Sequence, residues 1–416
     1  MAPALALPCV MAHAHSSRRV LRLAVVCAVF VPACGEEGRP GTSASIGDWT
    51  GDASDDIGSD DSDASDGSSS SDSGSSDSSS SDSSSSESSS SSTGETGECL
   101  ALAGFSASEP FASGDRHSHP LPSFAVGNHY YVHTMIAGDS RELWSAPAGQ
   151  GGALGPWQLA SPDHGGGPHG FAAIRVGAEA YHFRNGHIAR YPLTAEGLMN
   201  GDVILVENDP NAAFAGERYV WDTVVHAVFG DGAQQLLHLG GFSFTPYDYR
   251  RELMRNTVPP GPVFTQTGLQ HPATRPGKST FYSADGAGHG WVYSGEGEGQ
   301  RLWRLQVAGD GTPLGGYVEL ASTPAGDDNG RGDLIALDRT LFVVRGSQVF
   351  RTFIDPATGD LGDWTLHASL PEPQIDITWG EGHLEGPAWG VIGQTLYLTG
   401  PQRVYWSPLS PDDCGG

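Results

Sequence analysis

The sequence predicts an all-β fold in which six similar units close into a ring, a six-bladed β-propeller, and three observations carry that reading. From Cys99 onward one phrase recurs six times: an apolar strand, a short turn, and a second strand ending near glycine. The central residues of the second strands, Tyr131, Tyr181, Leu237, Val292, Phe342 and Tyr397, lie 50 to 56 residues apart. That period exceeds most helical repeats and matches a four-stranded propeller blade. Apolar and polar residues alternate between Gly-rich turns, and no long 3.6-residue periodicity appears after Cys99, so hairpins are favoured over helices. The chain ends on a strand-like "RVYWSPLS" and a cysteine, Cys414, one strand short of a full sixth unit.

Before the repeats, the chain divides by composition. Arg18, Arg19 and Arg22 precede an 11-residue apolar run, Leu23 to Ala33, too short for the ~20 residues a membrane-spanning helix needs, so residues 1–33 read as an export signal. The run ends in Val31-Pro32-Ala33-Cys34, followed by Gly35 and Glu36. "VPAC" resembles the lipobox of bacterial lipoproteins. That resemblance implies that Cys34 is lipidated and becomes the new N-terminus; the competing reading is an ordinary signal peptide with an incidental cysteine. Residues 34–98 are mostly Ser, Asp, Gly and Glu, with 16 acids against one base, Arg39, between Gly35 and Glu98. A segment with so little to bury cannot offset its chain entropy and is expected to be a disordered tether. The whole chain carries a formal charge of −27, which argues against nucleic-acid partners. With Cys9 and Cys27 in the signal and Cys34 under a lipid, Cys99 and Cys414 remain, and in an exported protein they are expected to pair.

The six phrases run in order: "PSFAVGNHYYVHTMIAG", "GFAAIRVGAEAYHFRNG", "TVVHAVFGDGAQQLLHLGG", "STFYSADGAGHGWVYSGE", "DLIALDRTLFVVRG" and "AWGVIGQTLYLTG". Each of the first five is followed by a further strand, a Gly-rich turn and a fourth strand, as in "RELWSAPAGQGGALGPWQLAS" and "SQVFRTFIDPATGDLGDWTLHAS". The "LGPW" of Leu154 to Trp157, the "LGDW" of Leu361 to Trp364 and the double glycine Gly240-Gly241 resemble bacterial kelch-like six-bladed propellers across roughly residues 100–412. Propellers commonly close by pairing strands from opposite chain ends, because an open ring exposes two edges. The segment Ala101 to Ser108 would then be the fourth strand of blade six, with a Cys99–Cys414 disulfide standing in for the missing hairpin turn. The domain expectation is therefore a signal at 1–33, a tether at 34–98 and a propeller at 99–416.

In such a fold, the loops that lead from one blade's outer strand to the next blade's inner strand border the central channel. The candidate ligand-binding residues are Arg116, His117 and His119 for blade one and His164 and His169 for blade two. Arg218 and Asp222 come from blade three, Arg275 and Lys278 from blade four. Blade five gives Asp327, Asp328, Arg331 and Asp333, and blade six His383 and Glu385. Imidazoles from His117, His169 and His383 converging with Glu385 would suit Zn²⁺ or Cu²⁺. The competing reading has each histidine capping a loop, and no cofactor is expected. "SADGAGHGW" departs from a sialidase Asp box in its glycine spacing. "DDSDASDG" lacks the later Glu of a calcium loop, and the "RGD" at Arg331 to Asp333 begins an inner strand. The common hydrolase, nucleotide and metalloprotease signatures are absent.

These features lead to an expected lipid-anchored, non-catalytic protein of the outer membrane or cell surface. Its propeller face would bind a protein or glycan, and its only membrane contact would be the anchor. The alternative is a glycan-active enzyme, a lyase, hydrolase or epimerase, with its site at the channel mouth.

Overall fold

A computed structural model describes residues 97–110, 123–135, 141–161, 172–184, 187–196, 198–199, 204–207, 223–240, 242–244, 247–296, 300–326, 333–372, 388–400 and 403–414. The expected signal, the expected lipidation site Cys34 and almost all of the expected tether lie outside the described residues. Among the described residues no helix is long and apolar enough to cross a membrane.

The repeats fold into six antiparallel sheets; the first five have four strands each, running from inner to outer in chain order, and the sixth is completed from the other end of the described chain. Blade one is Ser123–Val126, His129–Met135, Arg141–Pro147 and Gln158–Ser161. Blade two is Ala172–Val176, Glu179–Arg184, His187–Pro192 and Ile204–Glu207, and blade three is Thr223–Val228, Gln234–Leu239, Glu252–Asn256 and Thr265–Gln270. Blade four is Pro276–Tyr282, His289–Glu296, Leu302–Ala308 and Val318–Leu320, and blade five is Leu334–Leu337, Thr340–Arg345, Gln348–Phe353 and Thr365–Ser369. Blade six takes Trp389–Ile392, Thr395–Thr399 and Val404–Asp412 from the end of the chain, and its outer strand from Cys99–Leu102. Ser106–Ala107 pairs further along Val404–Asp412. The ring thus closes as the truncated sixth repeat implies.

Burial follows the repeat. All six second-strand centres, Tyr131, Tyr181, Leu237, Val292, Phe342 and Tyr397, are buried, because the second strand has a blade on each side. The apolar side chains gather into six clusters, one for each contact between neighbouring blades. Phe124, Tyr131 and Ala189 fill the one–two interface, Ile174, Phe183 and Met254 the two–three interface, and Phe229, Leu253 and Val307 the three–four interface. Tyr293, Leu302 and Val343 fill four–five, Ile335, Phe342 and Leu398 five–six, and Tyr130, Val132 and Tyr397 six–one. The signature aromatics explain themselves here. Trp157 packs back onto the six–one cluster, Tyr317 onto three–four and Trp364 onto four–five. Each turn therefore ties its own blade to the preceding one. Where blades six and one meet, the inner strands come so close that a Cβ on Gly390 would lie 2.8 Å from the Ala125 nitrogen, so only glycine fits.

The closing strand is held three ways. Cys99 is bonded to Cys414, with their Cα atoms 5.2 Å apart, beside the pair Cys99 and Asp412. Leu100 and Leu102 enter the five–six core. Side chains of blade five grip the strand's backbone: Leu100 N–H donates to Thr340 Oγ1 (2.7 Å), Leu102 N–H donates to His367 Nε2 (2.9 Å), and Arg351 donates to the Leu100 carbonyl (3.1 Å).

Among the described residues, one element departs from the repeat. Blade three inserts an antiparallel ribbon, Phe242–Phe244 with Tyr247–Tyr249, between its second and third strands.

Candidate functional site

Inner strands begin, and second strands finish, at one end of the ring, so each blade delivers a few residues there. Lys278 lies on the inner strand of blade four and Asp333 directly precedes that of blade five. The sequence brings them together because neighbouring repeats place equivalent positions side by side. Lys278 Nζ lies 3.3 Å from Asp333 Oδ1, with the two side chains 9 % and 3 % exposed. The second carboxylate oxygen, Oδ2, accepts the N–H of Ala388 (3.2 Å), and Val344 N–H donates to the Asp333 carbonyl (3.0 Å). Asp333 thus joins an ammonium of blade four to a backbone amide of blade six.

From Ala388 the polar belt continues into blade one, since Ala388 bridges Ser123 in parallel. Ser123 Oγ, Tyr130 Oη and Thr399 Oγ1 form a closed triangle of hydroxyls at 2.6 to 2.9 Å. Burial pushes the Tyr130 phenol well above its ordinary range; bonds to Ser123 and Thr399 pull it back partly, and the nearby Asp333 charge raises it further. It stays a neutral phenol at any physiological pH.

Among the described residues, four histidines at this end are buried. His133 and His182, from blades one and two, stack with centroids 5.3 Å apart, and both rings lie against Phe124. His238 of blade three meets Phe264 edge-on, and burial followed by the Arg250 charge lowers its pKa to about 3. His271 accepts the Ala273 N–H on Nδ1, so its Nε2 carries the proton and donates to Ser294 Oγ (2.9 Å). Its pKa falls to about 4, first through burial.

Of the sequence candidates, Lys278 and Asp333 are thus brought together, and Arg275 sits with its guanidinium 5.1 Å from the centre of the Tyr249 ring. Arg116, His117, His119, His164, His169, Arg218, Asp222, Asp327, Asp328, Arg331, His383 and Glu385 lie outside the described residues. The Zn²⁺ or Cu²⁺ site drawn from His117, His169 and His383 lies there too. Among the described residues, no three His, Cys, Asp or Glu side chains are placed to hold a metal. Sequence reasoning missed Ser123, Tyr130 and Thr399, and missed His133, His182 and His238. The signal that could have found the histidines is their position, one or two residues past the second-strand centre in blades one to three.

No protein-family model and no curated protein matches the chain. Solved structures do match its fold. A luciferin-regenerating enzyme shares 11% identity over 74% of this chain and 98% of its own, with a TM-score of 0.47. A gluconolactonase from Xanthomonas campestris shares 14% identity over 75% and 100%, with a TM-score of 0.45. An oligogalacturonate lyase in complex with manganese shares 11% identity over 75% and 98%, with a TM-score of 0.40. All three propellers are enzymes by name. That corrects two expectations drawn from sequence, a non-catalytic protein-or-glycan-binding propeller and a chain that is more binding protein than enzyme. The physical reason for the error is that propeller sites collect single residues some 50 positions apart, which leaves no local catalytic motif to read. At such low identity the likeness transfers no substrate and no residue role.

What the described side chains can do follows from their own chemistry. A buried carboxylate held by one ammonium and one amide is fixed in orientation. Such a group can accept a proton from a bound substrate, while the adjacent ammonium can meet the negative charge that develops.

Proposed function

We propose that this chain is a sugar-directed enzyme whose chemistry runs at the end of the ring where Asp333 and Lys278 meet. The observation that carries the reading is their buried ion pair, oriented by the Ala388 amide. Asp333 serves as the base and Lys278 as the cation for a substrate carboxylate. This pairing suits abstraction of the proton beside the carboxylate of an acidic sugar. The electron pair moves into the carboxylate, which Lys278 stabilises. It then either expels the neighbouring glycosidic oxygen, which takes its proton from water, as in a lyase, or accepts a proton from water on the face opposite Asp333, as in an epimerase. Hydrolysis through two carboxylates would draw on Asp327, Asp328 or Glu385.

The same proposal includes an address. The "VPAC" at Val31 to Cys34 supports lipidation of Cys34 after removal of 1–33, and the kelch-like turns support placing the propeller in that class. A flexible polar tether over 34–98 would span ~45 Å on average, enough to present the ring beyond an outer membrane or cell surface. Replacing Cys34 by Ser should move the protein from the membrane to the soluble fraction; unchanged fractionation would remove the anchor.

For the chemistry, the full chain is assayed on oligosaccharides containing uronic acid, following unsaturated ends by ultraviolet absorbance and epimers by NMR. Asp333→Asn should lower turnover at least 100-fold. A buried charge left alone destabilises by about 3–5 kcal/mol, so the paired change Asp333→Leu with Lys278→Met is the control that keeps the fold. It should melt near the wild-type temperature and be inactive. Turnover that survives in this folded double variant would sink the assignment.

A further inference from the structure

The strand that closes the ring is fixed by contacts of different chemistry, and one of them depends on a proton. At its start Cys99 is bonded to Cys414, and Leu100 N–H donates to the Thr340 hydroxyl. A disulfide and an aliphatic hydroxyl keep their state as pH changes. At its finish Leu102 N–H donates, at 2.9 Å, to Nε2 of His367 on the outer strand of blade five. An imidazole accepts on Nε2 only when that nitrogen carries no proton, so the bond requires the neutral ring with its hydrogen on Nδ1. A second proton would set N–H against N–H.

Among the described residues, the groups that face this imidazole come from three strands. Phe342, on the second strand of blade five, presents its ring with centroids 6.0 Å apart. Arg351, on the third strand of blade five, and Asp412, on the third strand of blade six, bring charge and are paired with each other. The closing strand itself, Cys99–Leu102, carries no titrating side chain. Burial lowers the His367 pKa first, Arg351 lowers it further, and Asp412 opposes them. The fold therefore favours the neutral ring. Its contribution is whole above the unfolded value near 6.5 and is lost as pH falls through the lowered folded value. Asp412 does not follow, because the Arg351 guanidinium holds its carboxyl below the usual carboxylate range. The grip of Arg351 on the Leu100 carbonyl thus outlasts that of His367 on Leu102.

The chain beyond Leu102 gives the bond its reach. Ala103 N–H donates to the Pro408 carbonyl (3.2 Å), and Ser106–Ala107 pairs with Tyr405 and Trp406. Ser108 N–H donates to the Val404 carbonyl (2.8 Å), and its Oγ accepts the Val404 N–H (3.1 Å). Residues 103, 104, 106 and 107 are exposed, and only Phe105 and Ser108 turn inward. The run finishes where Val404 pairs with Thr399, at the end of the ring that holds the Asp333 belt.

We infer that His367 is a pH-sensitive latch on ring closure: neutral, it holds the chain from Leu102 to Ser108 against blade six, and protonated, it lets that run detach while the disulfide keeps Cys99 in place. Release bares the edge of residues 404–409 and frees the entry into blade one at the end where Asp333 lies. The latch stands whatever chemistry that end performs.

The test is hydrogen exchange on the full chain from pH 7.5 to 4, with each amide referred to its unstructured rate and to Leu396, a buried residue of blade six outside the closing strand. Protection at Leu102, Ala103 and Ser108 should fall about tenfold relative to Leu396, the scale of one lost hydrogen bond. The fall should follow the titration of the His367 ring read by NMR. His367→Gln offers an uncharged oxygen to the same N–H, so its protection at Leu102 should stay level over the range. Asp338, which faces Glu98 ahead of the strand with a pKa of about 7, responds with the opposite sign, because its protonation relieves repulsion. Asp338→Asn should therefore leave the fall at Leu102 in place. The inference is overturned if wild-type Leu102 keeps step with Leu396 down to pH 4, or if His367→Gln shows the same fall. A fall at a pH where the His367 ring does not titrate would overturn it as well.

Discussion

At the scale of single residues, the turn between the first two strands of blade five holds a carboxyl group out of its ordinary range. Asp338 has a left-handed φ of 45°, and burial raises its pKa to about 7, with the charges of Asp285 and Glu98 adding to the shift. Tyr282 and Arg339 face the same cluster, and Arg339 N–H donates to the Glu98 carbonyl. A raised carboxyl is favoured in its protonated form by the fold. It therefore costs stability as pH rises from the unfolded value near 4, and the cost is complete above about 7. Asp338→Asn keeps a residue that tolerates the left-handed backbone and removes the charge. It should raise the melting temperature at pH 8 and leave it unchanged near pH 4, which a pair of thermal scans decides. An equal effect at both pH values would show that the charge is not what matters. Nothing in "LDRT" announced this. Burial in the folded ring comes first, and the added charges belong to another blade and to the chain before Cys99, neither of which a local reading can place.

At the scale of elements, the closing strand and the ribbon show why one was legible and the other was not. The sixth repeat lacked a strand, the segment after Cys99 lacked an assignment, and a cysteine stood at each free end, so three independent gaps had one solution. The ribbon had no such bookkeeping. "FSFTPYDY" alternates aromatic and polar residues, which is a strand signal, but the four-stranded repeat calls for no further hairpin there. The closing strand also carries a measurable prediction. The disulfide spans 315 residues of sequence, and the chain-entropy model assigns such a closure roughly 4 to 5 kcal/mol. Cys99→Ala with Cys414→Ala should shift the denaturant midpoint by up to that amount. The strand should stay docked nonetheless, because Thr340, His367 and Arg351 hold its backbone and Leu100 and Leu102 its side chains. Amide exchange at Leu100 and Leu102 that becomes as fast as in an unfolded peptide would contradict that picture.

At the scale of the whole molecule, stability and function come from the same circular arrangement. Six apolar interfaces between blades replace a single central core, so the ring's inner end is left to polar residues. There the belt from Lys278 through Asp333 and Ala388 to Ser123, Tyr130 and Thr399 crosses four consecutive blades. The repeat made Lys278 and Asp333 visible as charges entering inner strands. Ser123, Tyr130 and Thr399 were invisible because hydroxyls in strands are ordinary, and only ring closure brings Thr399 to Ser123. The most direct measurement incubates the full wild-type chain with the uronic-acid oligosaccharides in D₂O and follows the proton beside each carboxylate by NMR. Asp333 acting as the base predicts deuterium at that carbon or its loss into an unsaturated end, both abolished in Asp333→Asn. Exchange or cleavage that persists unchanged in Asp333→Asn, or none in the wild type, would contradict it.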